Sequence, residues 1–453
     1  MIKKLKYSFV IMIITLVFIL QGCSKESIQR EQEGEKALPT KEASVSEEQS
    51  EDTKEQATDQ FDKEEASDKE EEKDTTDNAT EEGQEKKLTT SEAIALEAIQ
   101  ILEGHRTKNL TYAPLSDPED NYNLNIVKNV HMVAVETGEY SINQTKTKFG
   151  VGGTDLGISF NLGDTTYIAF GDTFLHEGMQ QRWRSNVLAV TKDTDYTDGI
   201  LFDSMITVPG RTIAKELIPS RKIDNLEMTT IPTGGIAIGE TLYMSFMSVR
   251  HWGLPGEWDC NYGSIAKSVD YGQNWDVIKE LQWPGDSHFC QMAPVIIDDY
   301  VYVMGITGGR RGPAKLMRVP IEKYEDFEAY EYLMGYASDG TPLYEKGEEA
   351  MYGAYNLLPR AVGELSILYS EYLEEWLVTY IDGTGNIVMR SSKKIDGPYS
   401  KPVIVVAQKN FPTLYGAFMN PKWVSEDGTK LGFFMSLFDP VYNVLLMECE
   451  LER

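Results

Sequence analysis

The chain has 453 residues and carries 72 acidic against 43 basic side chains, a formal charge of −29 at pH 7. The length allows a large core, and the charge excludes nucleic acid and other anionic polymers as partners, because neither is attracted to such a surface. The five histidines and four cysteines show no HExxH, HxH or CxxC spacing, so a zinc site has no support, and without GxxxxGK[ST] or a strand-linked GxGxxG neither has nucleotide binding.

The chain starts with Lys3, Lys4 and Lys6 ahead of the apolar run YSFVIMIITLVFIL, which is short for a membrane span. LQGC, residues 20–23, follows, with the small Gly22 before the cysteine and the polar Ser24 after it. This resembles a bacterial lipoprotein signal. Residues 1–23 are then a signal peptide, and Cys23 becomes the lipidated, palmitate-bearing first residue of the mature chain. An ordinary signal peptide with a chance cysteine is the alternative. The expected location is extracytoplasmic, on the bacterial cell membrane, held through acyl chains only.

Residues 24–88 change character. They hold 23 acidic and 10 basic residues, a net of −13, with too few apolar side chains to bury a core. A disordered acidic tether is expected, reaching roughly 200 Å if fully stretched. Residues 89–124 read as a helical and irregular lead-in. TTSEAIALEAIQILEG carries Ile94, Leu96, Ile99 and Leu102 at helical steps, Ser91 as a cap and Gly104 as a stop.

From residue 125 to 453 the signal is β: short runs of Val, Ile, Tyr, Phe and Thr broken by Gly, Asn and Asp. TTYIAFGD, ETLYMSFM, DYVYVMGI, EEWLVTYI and TKLGFFMS recur, each after a polar turn, and the last four follow another apolar strand. A strand-turn-strand unit repeating across the domain predicts an all-β fold, a five-bladed β-propeller with a short N-terminal helical lead-in. A jelly roll or two stacked sandwiches is the alternative. SVDYGQNW, residues 268–275, fits an Asp box, resembling the turns of sialidase-like propellers. Asp270 is expected to cap amides, Gly272 to take positive φ and Trp275 to pack between blades, a scaffold role. SSKKIDGPYS is a second, degenerate turn, resembling those of furanosidase propellers. Cys260 and Cys290 are spaced so that a disulfide is allowed but not demanded, and Cys449 reads as a buried thiol.

The stretch VGGTDLGISFNLGDTTYIAFGDTF, residues 151–174, places Asp155 and Asp172 at the open ends of a hairpin. Reflection about a turn centred between Gly163 and Asp164 sets the two opposite each other. Because the first strand of a blade lines the channel, the pair would converge on its mouth. Two carboxylates there suffice for glycoside hydrolysis, one protonating the leaving oxygen and the other activating water or attacking. Repulsion would raise one pKa and keep an acid protonated. The structural alternative is that each aspartate caps a local turn.

GGTDLG, GDTF, WRSNVLA, GELSILYSEYLEEWLVTY and YGAFMNPKW resemble the motifs of the bacterial family called domain of unknown function 4185. The resemblance covers residue 150 to the end. It implies membership among endo-D-arabinanases of glycoside hydrolase family 183, on a propeller fold. It further implies that Asp155 and Asp172 are the essential pair, with inversion at the anomeric centre.

Other residues join as weaker candidates. Glu364 in GELS opens an inner strand and is the third carboxylate, an acid or a holder of sugar hydroxyls; a salt bridge is its structural reading. Arg184 and Asn186 follow the first hairpin and could bond to sugar hydroxyls or orient Asp172. The loop RHWGLPGEWDCNY, residues 250–262, offers His251, Trp252, Trp258, Asn261 and Tyr262 as stacking platforms and hydroxyl partners, against plain loop packing. Asn420 in MNPKW is expected to open the last inner strand and face the funnel. TGGRRGPAK, residues 307–315, is a basic loop in an acidic domain, either a solvated turn or a contact for an anionic substituent.

The reading is a monomeric glycoside hydrolase cleaving furanosidic, arabinan-type linkages in a polysaccharide, endo-acting and inverting, requiring no cofactor, with a structural calcium left open. A non-catalytic glycan-binding propeller and an envelope scaffold with a plugged channel are the rivals.

Overall fold

A computed structural model of the protein describes residues 90–104 and 122–453. The expected signal peptide, Cys23 and the acidic tether lie outside the described residues, as do residues 105–121 of the lead-in. The lead-in helix α1 (Thr90–Glu103) buries Ala95, Ala98, Ile99 and Leu102, while Ile94 is 53% exposed. Two alanines therefore take the inward stripe and Ile94 does not, because positions 95, 98, 99 and 102 share one face at 3.6 residues per turn.

The β-branched and aromatic runs form five antiparallel sheets. The first strand, β1 (Ile126–Val135), is set apart for the end of the ring. Blade I is β2 (Leu156–Leu162), β3 (Thr165–Phe170), β4 (Val187–Thr191) and β5 (Ser204–Met205). Blade II is β6 (Thr229–Ile238), β7 (Thr241–Trp252), β8 (Trp258–Ser268) and β9 (Asp276–Pro284). Blade III has five strands, β10 (Gln291–Ile297), β11 (Tyr300–Ile306), β12 (Lys315–Pro320), β13 (Glu331–Tyr336) and β14 (Pro342–Lys346). Blade IV is β15 (Val362–Ser370), β16 (Glu375–Asp382), β17 (Ile387–Ser392) and β18 (Val403–Val406). Blade V joins β19 (Leu414–Val424), β20 (Lys430–Leu437) and β21 (Asn443–Glu452) to β1.

The inner strands β2, β6, β10, β15 and β19 neighbour one another in that order, and β19 returns to β2, which makes a five-bladed β-propeller. The recurring runs seen in the sequence are the second strands β3, β7, β11, β16 and β20. The ring closes where β1 pairs antiparallel with β21, from Ile126 opposite Glu452 to Val135 opposite Leu445. Val127, Val130 and Met132 of β1 are fully buried. At about 1.5–3 kcal/mol for each such side chain, this strand stabilises the closure substantially. The Asp box sits on blade II: Asp270 Oδ1 accepts from Asn274 N at 2.9 Å, and Gly272 has φ +87. A side chain at Gly272 would meet Leu188 and Tyr167 of blade I, so the turn wedges two blades together.

The channel between the inner strands is divided. Toward the ends of those strands it holds a cavity of about 520 Å³ lined by Phe160, Ile236, Pro294, Leu368 and Trp376. Toward their starts, Leu156, Ile231, Met292, Leu365 and Phe418 close in around a void of only about 20 Å³.

Candidate active site

Every blade begins with its inner strand running the same way, so the starts of those strands gather on one face. Asp155 precedes β2, Thr229 opens β6, Gln291 opens β10, and Glu364 and Tyr415 lie within the first turns of pleat of β15 and β19. Asp155, Thr229, Glu364 and Tyr415 belong, with Asp172, to one electrostatic and hydrogen-bonded group, and Gln291 supports a further member, Arg310.

Asp155 is half-buried. Its Oδ2 accepts from the Tyr415 hydroxyl at 2.8 Å, and the nearby Tyr442 hydroxyl also favours its charged form. Its Oδ1 is buried and receives no hydrogen bond from the protein. Burial pushes the Asp155 carboxyl up to about 6; the two tyrosines and Arg310 work against that rise, and Glu364 adds to it. The pairing around it differs from a simple reflection. From Leu162 opposite Thr165 to Ile158 opposite Ala169 the register is regular, then it shifts so that Leu156 faces Phe170. Leu156 and Gly157 both have positive φ, 71 and 87, and form a bulge. The bulge sets Asp155 across from Gly171, whose N donates to Asp155 O at 3.2 Å, and leaves Asp172 one residue beyond. The two carboxylates are therefore diagonal neighbours rather than directly opposed.

Asp172, also half-buried, accepts on Oδ1 from Trp183 Nε1 at 2.7 Å and from Thr229 Oγ1 at 2.5 Å. Burial pushes it up to about 7, with Thr229 and Trp183 opposing, Asp155 adding repulsion and Lys222 easing it. Lys222 Nζ stands 5.3 Å from the Trp183 ring centroid and 2.6 Å from Glu216 Oε1. Trp183 in turn stacks on Phe174, 6.1 Å between centroids. Both aspartates thus titrate far above an ordinary aspartate, and Asp172 feels the charge of Asp155. This is the condition in which one carries a proton while the other is ionised near neutral pH.

Glu364 is engaged by Arg310: Nε lies 2.8 and 2.9 Å from its two oxygens and Nη2 2.7 Å from Oε1. The guanidinium is also 5.0 Å from the Tyr415 ring centroid and 5.6 Å from that of Trp258. Gln291 Nε2 donates to Thr307 O at 3.1 Å and Gly309 O at 3.0 Å, which fixes the turn that delivers Arg310. The basic loop is therefore neither a solvated turn nor a free anion contact at Arg310. That residue is the cation beside Glu364 and Asp155.

The remaining candidates divide. Trp258 reaches the cluster through Arg310, and Trp252, 37% exposed, meets it edge-on at 5.5 Å between centroids. His251 Nδ1 pairs with Asp224 at 2.7 Å, and Asn261 Nδ2 donates to Leu226 O at 2.8 Å, so both brace the loop. Tyr262 packs edge-on against Phe246. Arg184 and Asn186 do not present their side chains to the site. Arg184 donates to the carbonyls of Gly150 and Ala214 at 2.6 and 3.1 Å. Asn186 is fully buried; its Oδ1 accepts from the amides of Leu217 and Ile218, and its Nδ2 donates to the carbonyls of Ile218 and Thr230. The neighbour Trp183, together with Thr229, orients Asp172.

Asn420 does not open β19 but lies midway along it, bonded to Asn161 near the far turn of blade I. Five residues of strand from Tyr415 set it roughly 16 Å down the channel. Tyr415 takes the place at the mouth. The sequence reading missed Trp183, Thr229, Tyr415 and Tyr442. Trp183 and Tyr415 lay in the quoted motifs as their first residues, whereas nothing marked Thr229 or Tyr442. Among the described residues no group of three or more His, Cys, Asp or Glu side chains could hold a metal ion.

Among solved structures, a candidate hydrolase from Bacteroides ovatus matches with 10% identity and a TM-score of 0.49, over 74% of this chain and 93% of that one. A GH43_1 enzyme from Xanthomonas citri matches with 11% identity and a TM-score of 0.42, over 78% and 92%. A xylan beta-1,4-xylosidase from Bacillus halodurans matches with 13% identity and a TM-score of 0.36, over 66% of this chain and 53% of that one. This chain thus spans about half the length of the xylosidase. At such identities and TM-scores these likenesses carry no inference about activity. Comparison with curated proteins found no match. One family model does match, over residues 140–448, which hold every member of the acidic cluster. The chain belongs to that family, the domain of unknown function DUF4185.

Proposed function

We propose that the protein is a glycoside hydrolase that cuts furanosidic, arabinan-type linkages within a polysaccharide. The observation that carries this reading is the Asp155–Asp172 pair: two half-buried carboxylates on neighbouring strands, both titrating near neutrality and each raised by burial. One protonates the leaving oxygen while the other deprotonates the attacking water, and no cofactor enters that chemistry. Tyr415, Tyr442, Thr229 and Trp183 fix the two carboxylates. Arg310 balances the charge of Glu364 beside them. Trp252 and Trp258 offer aromatic faces to a sugar chain. Endo action and inversion are supported by the resemblance of the GGTDLG and GDTF motifs to endo-D-arabinanases. The lipoprotein-like start, with Cys23, supports action outside the cell membrane.

The test is incubation with a panel of arabinans and furanoside oligomers, with released sugars and their first-formed anomer followed by NMR. Asp155→Asn and Asp172→Asn are each expected to lower turnover by about 10²–10⁴-fold while leaving oligosaccharide binding in place. If binding is found but no furanoside polymer yields products, the protein is a lectin and the hydrolase reading fails. Undiminished turnover in either variant would remove that carboxylate from the mechanism.

A further inference from the structure

Cys260 and Cys290 lie near each other beside the candidate site, at the junction of blades II and III. Cys260 lies on β8, two residues after Trp258, and is half-buried; Cys290 is buried and immediately precedes Gln291, the first residue of β10. Gly285 connects the two. A Cβ on Gly285 would stand 2.8 Å from the Cys260 carbonyl carbon, and Cys290 Sγ lies 3.2 Å from Gly285 O. The same pocket is roofed by the turn that carries Arg310. Cys290 N donates to Ile306 O at 3.0 Å, and a Cβ on Gly308 would be 3.0 Å from Cys260 Sγ. The Cys260 thiol faces Met247 Sδ at 3.8 Å and the Cys290 thiol faces Gly285 O, and Cys290 is near enough to perturb Cys260. Cys449, fully buried on β21, shares none of these contacts.

We propose that Cys260 and Cys290 form a cross-linking site, a dithiol that closes to a disulfide in an oxidising medium and clamps blade II to blade III beneath Arg310. The chemistry is thiol–disulfide exchange with a small-molecule disulfide such as oxidised glutathione. The more accessible Cys260, as thiolate, attacks one sulfur of that disulfide and expels a thiolate, leaving a mixed disulfide. Cys290, as thiolate, then attacks the Cys260 sulfur and expels the second. Two protein thiols are oxidised, one external disulfide is reduced to two thiols, and the protons lost by the cysteines are taken up by the leaving groups. The nearness of Cys290 and burial both hold the Cys260 thiol well above its ordinary pKa. Closure is therefore slow at neutral pH and faster in alkali. Once closed, the bond restricts the unfolded chain and ties the turn under Arg310 to β8.

The test uses the purified full chain, incubated natively in oxidised glutathione, quenched in acid, alkylated under denaturing conditions, digested and mapped by mass spectrometry. The expected result is a peptide bearing Cys260 joined to one bearing Cys290, with Cys449 alkylated. An upward shift of several degrees in Tm should accompany it and vanish with reductant. In Cys290→Ser, Cys260 should accumulate as the glutathione mixed disulfide. Recovery of Cys260 and Cys290 of the native sequence both alkylated, or of Cys260 glutathionylated with Cys290 free, would overturn the proposal whatever the variant does.

Discussion

Gly171 lies flat against the carboxylate of Asp155: a Cβ built on it would collide with Oδ1 and stand 3.1 Å from Leu156 Cδ1. The bulge at Leu156 and Gly157 produces this approach by moving Asp155 across from Gly171. Gly171→Ala should therefore displace the Asp155 carboxylate. We expect activity on a cleavable furanoside to fall at least tenfold, with a modest drop in Tm. An unchanged kcat/KM would show that Asp155 need not occupy its observed position.

Tyr415 donates to Asp155 and so holds its pKa below what burial alone would give. Tyr415→Phe removes that donor. With Asp155 near 6 and Asp172 near 7, the latter raised in part by the charge of Asp155, the native pH–rate profile should be bell-shaped with limbs at about 6 and 7. In the variant the acid-side limb should move to higher pH, and kcat/KM should drop roughly 10- to 100-fold, the loss expected for a hydrogen bond to a charged group. A limb that moves to lower pH would contradict the role assigned to the tyrosine.

Arg310 and Glu364 join through three close nitrogen–oxygen contacts, and the glutamate side chain is only 8% exposed. Glu364→Gln leaves the guanidinium without its ion partner. The cost expected is about 2–3 kcal/mol, discounted for the quarter of the arginine side chain that meets solvent, or roughly 3–5 °C in Tm. Arg310→Lys should lose a similar amount, because an ammonium cannot reproduce the fork. Thermal unfolding of both variants at moderate salt would check this, and no shift in either would mark the pair as energetically idle.

Glu136 is fully buried at the end of β1 and accepts from Asn143 Nδ2 and Ile200 N, both at 3.0 Å. Burial pushes it up to about 8, against those two hydrogen bonds and with added repulsion from Asp193 and Asp198. Its folded pKa thus lies above its unfolded value of 4.5. The folded state holds the proton more tightly, so this contribution to stability is fully present below pH 4.5 and is lost as pH rises through 8. The Tm of the native protein should decline across that window, and Glu136→Gln should flatten the decline. A variant whose Tm retains the same slope would exclude Glu136 as its source.

Much of the site's hairpin was legible because β-structure announces itself locally. Period-two apolar runs, polar turns and a pair of aspartates around NLGD placed Asp155 and Asp172 on adjacent strands without any knowledge of the rest of the chain. The one-residue offset was not legible, since a bulge arises from how Gly157 packs against Phe434, a residue of another blade. Arg184, Asn186 and Asn420 misled for a related reason. A polar residue near a catalytic motif has the same sequence signature whether its side chain faces solvent or the interior.

The sequence by itself determined the repeated strand pairs, the Asp box, the acidic pair and the family motifs, all of which depend on residues within a few positions of one another. Only the tertiary structure decided which donors would hold that pair. Tyr415 lies 260 residues from Asp155, and Thr229 lies 57 from Asp172. Ring closure brings the starts of five inner strands to one rim, and burial there, which no local pattern encodes, lifts two ordinary carboxylates toward neutral pH.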